Sequence, residues 1–179
     1  MNMYFIALVA PGEINLRVLK WKNFFKEHYG CTAALNSPAH ITLIPPFWMK
    51  EELEADLINS IKEFSSTKNK FEIIVRDFAG FKPRVIYADV VKNETLNKLY
   101  GSLANFIYTE NKYPVKKDDR AFHPHVTLAT RDLHKKAFYK AFEIFSTKKY
   151  EAPWFVTGIS LLRHNKKNWD VIFTSQLED

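Results

Sequence analysis

The order of predicted elements repeats once along the chain, and this repeat constrains the fold more than any other feature. Each half runs strand, helix, a strand that begins His-x-Thr-Leu, a second helix and a further strand. The two copies of the motif are His40-Ile-Thr-Leu and His125-Val-Thr-Leu. Two copies are too few for a solenoid. The repeat therefore predicts a single domain, 1–179, whose lobe-forming halves divide at about 82/83.

Apolar periodicity predicts the elements within each half. Short apolar or alternating runs indicate strands, and stripes with a 3.6-residue spacing indicate helices. Strands are predicted at 4–10, 40–44, 71–81, 85–91, 125–129, 154–162 and 169–174. Helices are predicted at 14–29, 53–64, 96–107 and 133–145. The Pro45-Pro46 pair is expected to end the second strand, because proline breaks regular structure.

The alternation of side chains along a strand places the histidine and threonine of each motif together. Side chains at i and i+2 point to the same face, so His40 shares a face with Thr42, and His125 shares one with Thr127. If a pseudo-twofold axis relates the lobes, these faces meet across a cleft. One neutral imidazole can then act as a general base and one imidazolium as a general acid near neutral pH. Threonine hydroxyls can hold the non-bridging oxygens of a phosphodiester, and the chemistry needs no metal.

These paired motifs resemble those of the 2H phosphoesterase superfamily, in its 2′-5′ RNA ligase / RNA 2′,3′-cyclic phosphodiesterase (LigT-like) branch. The similar segments are His40-Ile-Thr-Leu-Ile-Pro-Pro-Phe47, Pro83-Arg-Val-Ile-Tyr-Ala-Asp-Val90 and Phe122-His-Pro-His125-Val-Thr-Leu-Ala129. The resemblance implies an α+β, bilobal, pseudo-twofold fold with two antiparallel sheets flanking a central cleft and helices outside. It also implies hydrolysis of 2′,3′-cyclic phosphates, on RNA ends or small cyclic nucleotides, to a 2′-phosphomonoester, with some reverse 2′-5′ ligation.

The resemblance also assigns roles to residues of this sequence. His40 and His125 become the acid/base pair, with the order of their roles undecided, and Thr42 and Thr127 bind the phosphate. Many members carry an arginine five residues after the second histidine. This chain has a threonine there and Arg131 one position later, so Arg131 reaches the phosphate only if the strand has already ended.

Three further features are candidate substrate contacts. Tyr87 lies on the strand that opens the second half, where alternation allows it to face either the cleft or the core. Phe47 and Trp48 follow the double proline, and they either stack on a base or join the core. The basic run Lys112–Arg120 either steers RNA toward the cleft or is a solvated loop.

Composition narrows the class of protein. A hydrophobic content of 46% with 15% aromatic residues excludes extended disorder. The single Cys31 cannot form an internal disulfide, which favours a reducing compartment. The first apolar run is too short to span a bilayer and lacks the charge of a signal peptide, so a cytoplasmic protein is expected. Lys and Arg total 26 against 20 Asp and Glu, a balance that favours an anionic partner but also suits an ordinary solvated surface.

These observations predict a monomer without a cofactor or bound metal. The resemblance implies a partner that is RNA or a small nucleotide with a cyclic phosphate, and membrane binding is not expected. A non-catalytic RNA-binding module and a 2H enzyme for another phosphodiester remain alternatives. His40, His123 and His125 form a weaker three-histidine metal hypothesis, since no carboxylate or cysteine falls at ligand spacing.

Overall fold

The computed structural model describes residues 1–109, 112–117 and 119–179. Within them the strands are β1 (Asn2–Val9), β2 (His40–Met49), β3 (Phe71–Phe81), β4 (Val85–Val90), β5 (His125–Ala129), β6 (Glu151–Val156), β7 (Gly158–His164) and β8 (Trp169–Gln176). The α-helices are α1 (Gly12–Tyr29), α2 (Glu54–Ser65), α3 (Glu94–Thr109) and α4 (Lys135–Phe145), and 3₁₀ turns occupy Ala33–Asn36 and Glu51–Leu53. Asp118, inside the basic run considered above, lies outside the described residues.

The strands form two four-stranded antiparallel sheets whose strand orders match. The first sheet runs β2-β1-β7-β8, and the second runs β5-β4-β3-β6. In both sheets the strand that begins His-x-Thr lies at the edge and pairs with the strand that opens its half of the chain. The predicted α+β fold, with its pseudo-twofold duplication, paired antiparallel sheets and outer helices, is confirmed.

The sheets do not coincide with the two halves of the sequence, because strands cross between them. β3, from the first half, pairs with β4 and β6 of the second half. In return β7 pairs with β1, and β8 then pairs with β7 at the far edge. Each sheet therefore contains strands from both halves, and the two sequence repeats interlock. This exchange leaves β2 and β5 as edge strands whose Cα atoms approach within 8 Å of one another.

The second strand continues through the double proline, so the predicted end at residue 44 is wrong. β2 extends to Met49, and its pairing with β1 steps from Ile6↔Ile44 to Tyr4↔Phe47, which adds one residue on the β2 side. Proline lacks the N–H that a central strand must donate, but it is tolerated at edges and bulges. The edge position of β2 and this bulge together allow the prolines to lie within the strand.

The predicted strand 154–162 is in fact two strands in different sheets. β6 pairs with β3, the chain passes to the other sheet at Thr157, and β7 pairs with β1 and β8. Gly158 begins β7, where a Cβ atom would lie 2.7 Å from the Ser175 backbone oxygen. The segment appeared continuous in the sequence because buried apolar residues occur on both sides of the switch.

The helices pack on the sheets through the apolar stripes that periodicity predicted. α2 buries Leu57, Ile61 and Phe64, and α3 buries the stripe from Leu96 to Ile107. Among the residues described, no helix has both the length and the hydropathy needed to cross a membrane.

Candidate active site

The two motif histidines have the same local geometry. His40 is the first residue of β2 and His125 is the first residue of β5. The Nδ1 atom of His40 lies 2.7 Å from the Pro38 carbonyl oxygen, and that of His125 lies 2.7 Å from the His123 carbonyl oxygen. A carbonyl can only accept, so Nδ1–H donates in both rings. Each Nε2 is thereby left to exchange a proton with a substrate.

The structure brings the two motifs to opposite walls of one cleft. A cavity of about 330 Å³ is lined by Thr42 from the first sheet and by His125 from the second. His40 lies close enough for the charge of His125 to lower its pKa. Thr127 stands opposite Tyr87 in the pairing of β5 with β4, two residues beyond His125. The predicted set of two imidazoles and two hydroxyls is thus carried by the facing edge strands.

Aromatic rings form another wall of this cavity. The lining includes Phe81, Tyr100 and Phe122. Tyr100 and Phe122 stack with their ring centroids 3.9 Å apart. Phe81 is 40% exposed, and its ring lies edge-on to His125 at a centroid distance of 5.0 Å. An exposed ring beside an imidazole offers an apolar face to a flat group such as a nucleobase.

The surroundings of His40 favour its neutral form. Burial lowers the pKa of His40 to about 4, and the positive charges of Lys22 and His125 act in the same direction. The hydrogen bond to the Pro38 carbonyl opposes this shift but does not cancel it. His40 is therefore a neutral imidazole at pH 7.

The lysine beside His40 occupies an apolar position of α1. Ile14, Val18, Lys22 and Phe25 form the buried stripe of this helix, and Lys22 is only 4% exposed. Burial lowers the pKa of Lys22 to about 8, and its ammonium group donates to the Ser37 carbonyl oxygen at 2.9 Å.

A second contact from α1 holds the same segment. The Ala39 N–H donates to Asn15 Oδ1 at 2.8 Å. Helix α1 therefore anchors the residues that lead into His40. The spacing of Lys22 from Val18 was a signal in the sequence, but lysine at such a position is ordinarily expected to face solvent.

His125 has a different charge environment from His40. Burial and the neighbouring His123 lower the pKa of His125, whereas the Asp89 carboxylate acts to raise it. Asp89 stands opposite His125 in the pairing of β4 with β5. A nearby carboxylate stabilises an imidazolium, so Asp89 partly offsets the lowering of the His125 pKa, and among the described residues no carboxylate acts in this way on His40.

Tyr87 faces the cleft side of β4 and not the core, which settles the alternatives left by alternation. Its ring centroid lies 4.9 Å from that of His125, and its hydroxyl oxygen lies 3.1 Å from His123 Nε2. The same nitrogen lies 3.3 Å from Asp89 Oδ1. Tyr87 is only 3% exposed, so its contacts position the histidines of this wall.

Phe47 and Arg131 differ from the other candidates in their placement. Phe47 is 6% exposed and its ring packs near Tyr4, which favours the core alternative for this ring. The neighbouring Trp48 is 55% exposed instead.

Arg131 is exposed in the turn that follows β5. Because β5 ends at Ala129, strand alternation does not determine the direction of Arg131.

Sequence reasoning missed three residues at this site: Lys22, Phe81 and Asp89. The register that brings Asp89 opposite His125 is a long-range pairing, which no local pattern reports. Among the residues that the structure describes, no three His, Cys, Asp or Glu side chains are grouped so that they could hold a metal ion.

Similar proteins share this fold over the full length of the chain. E. coli LigT complexed with 3′-AMP superposes with a TM-score of 0.69 at 18% identity, covering 99% of each chain. TT0787 of Thermus thermophilus gives the same TM-score and identity, covering 99% of this chain and 98% of its own.

Curated relatives and a family model give the second line of comparison. Two Bacillus proteins named putative phosphoesterase, from B. pumilus and B. licheniformis, are 29% and 27% identical over 112 and 111 residues. Each match covers 61% of this chain and spans 61% and 62% of the respective relatives. Residues 10–168 match the model of the 2′-5′ RNA ligase superfamily. The chain belongs to the 2′-5′ RNA ligase superfamily.

Proposed function

We propose that this protein is a metal-independent phosphodiesterase that opens 2′,3′-cyclic phosphates to 2′-phosphomonoesters, with His40 and His125 as its acid/base pair. The observation that carries the proposal is the matched geometry of these histidines on facing edge strands. Each ring donates Nδ1–H to the backbone two residues earlier. Two imidazoles with the same tautomer can work on opposite sides of one phosphorus atom. The family shown above makes a phosphoester the expected substrate.

In the proposed step, a water molecule attacks the phosphorus atom of the cyclic phosphate. His40 Nε2 accepts a proton from this water as the new P–O bond forms. The bond from phosphorus to the ribose 3′ oxygen breaks, and His125 Nε2–H gives its proton to that oxygen. The product carries its phosphate on the 2′ oxygen, and the two histidines exchange protonation states. Thr42 and Thr127 donate hydrogen bonds to the non-bridging oxygens.

The base and acid roles follow from the two environments. His40 is held neutral by burial and by the Lys22 charge, as a general base requires. Asp89 supports the protonated form of His125, as a general acid requires. A bound phosphodiester adds a negative charge between the rings, which opposes the lowering of the His125 pKa by burial. We therefore assign His40 as base and His125 as acid for hydrolysis.

Ligation of RNA uses the same two histidines. When the 5′-hydroxyl of an RNA takes the place of water, its attack on the cyclic phosphate gives a 2′-5′ linkage. The 3′ oxygen leaves as before, so the acid and base remain the same in this direction. Returning from the 2′-5′ product to the cyclic phosphate exchanges the two roles. Ligation is expected to be minor in dilute RNA, because water is in large excess.

The test is product analysis with the two histidine variants. Purified protein is incubated in EDTA with each nucleoside 2′,3′-cyclic phosphate and with a short RNA that ends in this group. We expect 2′-phosphomonoesters, identified by mass and by ³¹P NMR. His40→Ala and His125→Ala should each lower kcat by about 10²–10⁴-fold, the usual contribution of a general acid or base.

A matched control separates chemistry from folding. His28 is an exposed histidine that stacks on Phe24 of α1, away from the cleft, and His28→Ala should keep the wild-type rate. Circular dichroism would check that all three variants fold. Folded His40→Ala and His125→Ala proteins with wild-type rates would refute the proposed roles. Salt-dependent RNA binding without product would favour the binding module instead.

A further inference from the structure

A second pocket adjoins the cavity that contains His125. Its volume is about 470 Å³, within the range of small-molecule sites. Pro45 and Arg120 line both pockets, so the two pockets are direct neighbours along β2. The remaining walls are the end of β2 and the segment 114–117. A ligand that fills the first cavity and extends along β2 enters this second pocket.

The exposed indole of Trp48 is the main apolar surface of this pocket. Trp48 is 55% exposed although it lies within a strand. Trp48, Thr42 and His40 stand opposite Met3, Ala7 and Val9 of β1, which share one face of that strand, so Trp48 lies on the same face as His40 and Thr42. Large exposed aromatic rings beside a site commonly stack on bases, and such stacking accepts any base because each has a π face.

The opposite wall of the pocket is basic. Lys116, Lys117 and Arg120 line it, next to Pro114 and Val115. Cations beside an exposed aromatic ring are the pattern of single-stranded nucleic acid sites, in which the phosphates are neutralised while the bases stack. An apolar peptide would gain little binding energy from these basic side chains.

We infer that this second pocket, hereafter the Trp48 pocket, binds nucleotides upstream of the cyclic phosphate and makes an RNA end the preferred substrate class. The inference rests on the proposed function of the neighbouring site. Thr42 and Trp48 stand opposite Ala7 and Met3 of β1, which are four residues apart, so the two positions lie roughly 13 Å apart along the sheet. One nucleotide cannot cover this distance, so the terminal nucleotide lies in the catalytic cavity and an earlier one stacks on Trp48. Mononucleotides occupy the catalytic cavity alone.

The test compares substrates of increasing length. Substrates of one to six nucleotides, all ending in a 2′,3′-cyclic phosphate, are hydrolysed in 0.15 M salt, and kcat/KM is measured for each. We expect the ratio of hexanucleotide to mononucleotide kcat/KM to exceed one by roughly 5- to 150-fold, the range for stacking of one base. Trp48→Ala should remove most of this ratio. An abasic site placed at one upstream position after another should reproduce the loss at the position that contacts Trp48.

Two matched controls are available on this chain. Phe155 of β6 is 56% exposed on the sheet edge away from β5, so Phe155→Ala removes an equally exposed ring. Lys166 and Lys167 lie in the turn between β7 and β8, and their double Gln variant removes two charges elsewhere. Both control variants should keep the wild-type ratio of hexanucleotide to mononucleotide kcat/KM. The double Gln variant of Lys116 and Lys117 should lower this ratio and make the ratio less dependent on salt.

The outcomes separate this inference from the proposed function. If every substrate is turned over but kcat/KM does not depend on substrate length, the inference about the Trp48 pocket is wrong and the proposed phosphodiesterase activity stands. The same holds if Trp48→Ala keeps the wild-type ratio of hexanucleotide to mononucleotide kcat/KM. If no substrate is turned over, the proposed function fails. The pocket is then tested by fluorescence anisotropy with a labelled hexanucleotide that ends in a 3′-phosphate. Equal affinity of wild type and Trp48→Ala for this RNA would show that the Trp48 pocket does not bind nucleotides. Weaker binding by Trp48→Ala would support the inference.

Discussion

The two motif histidines show how identical local geometry can support different chemistry. Both donate Nδ1–H to a carbonyl two residues earlier, at the same 2.7 Å. What differs is the neighbouring charge, because Lys22 lowers the pKa of His40, whereas the Asp89 carboxylate partly offsets the lowering of the His125 pKa by burial and His123. Opposite neighbouring charges move two imidazole pKa values apart, and such separation marks a base and an acid.

Removal of the Lys22 charge should raise the pKa of His40. In Lys22→Met the like charge is lost, so the ring protonates more easily, but burial is the larger cause and keeps its pKa below the ordinary 6.5. Titration of the His40 ring signals by NMR would measure this change. Lys22→Arg should keep the low value because it keeps the charge.

The control for this experiment lies on the same helix. Lys20 is exposed, so Lys20→Met changes the net charge equally without removing a buried neighbour. It should leave the His40 titration unchanged. An identical His40 titration in wild type and Lys22→Met would contradict the role given to Lys22.

Among the elements, the edge position of β2 and β5 is decisive for the site. An edge strand has one side without a sheet partner, and here the two open sides approach each other. The same position explains why β2 accepts Pro45 and Pro46 and can continue to Trp48.

The junction of β6 and β7 is where the chain passes from one sheet to the other, and Gly158 should be indispensable there. A Cβ at this position would lie 2.7 Å from the Ser175 oxygen and 3.0 Å from Thr174 Cγ2. Gly158→Ala should therefore lower the free energy of unfolding by about 1–3 kcal/mol, as overpacking does. Urea denaturation would measure the loss.

A second glycine gives the opposite expectation. Gly101 lies in α3, and nothing is within 4 Å of the place its Cβ would take. Gly101→Ala should stabilise the protein by about 0.5–1 kcal/mol, because alanine favours the helix. If the Gly158→Ala and Gly101→Ala proteins were equally stable, the junction of β6 and β7 would have more room for a side chain than the structure indicates.

At the scale of the whole molecule, acid should weaken the fold through the histidines. The pKa of His40 is about 4 in the folded protein and about 6.5 when unfolded. As the pH falls, His40 is therefore protonated at a higher pH in the unfolded chain than in the folded protein. Stability is fully present above about pH 6.5 and is lost between there and about pH 4, by on the order of 1–3 kcal/mol. The lowered pKa of His125 acts in the same direction.

Denaturation in urea at several pH values would test this expectation. His40→Gln cannot titrate, so the difference in unfolding free energy between it and the wild type should change between pH 6.5 and 4. A difference that stays constant over this interval would exclude His40 as a source of the acid sensitivity.

Features that depend on local backbone geometry could be predicted from the order of the amino acids alone. Alternation along a strand placed His40 with Thr42 and His125 with Thr127, and apolar spacing located the helices. The repeated order of elements gave the pseudo-twofold fold. Its family resemblance is confirmed by the family model. These are properties of a few neighbouring residues, so they can be found without knowledge of partners in space.

The groups that surround those histidines depend on long-range pairing and packing. Strand exchange between the sheets, the Asp89 register, the buried Lys22 and the exposed Trp48 all depend on which distant segments pair or pack. A strand of given sequence can pair with several others, and the choice is made by burial summed over the whole core. The loss of water that lowers the pKa of His40 arises only once that core has closed around it.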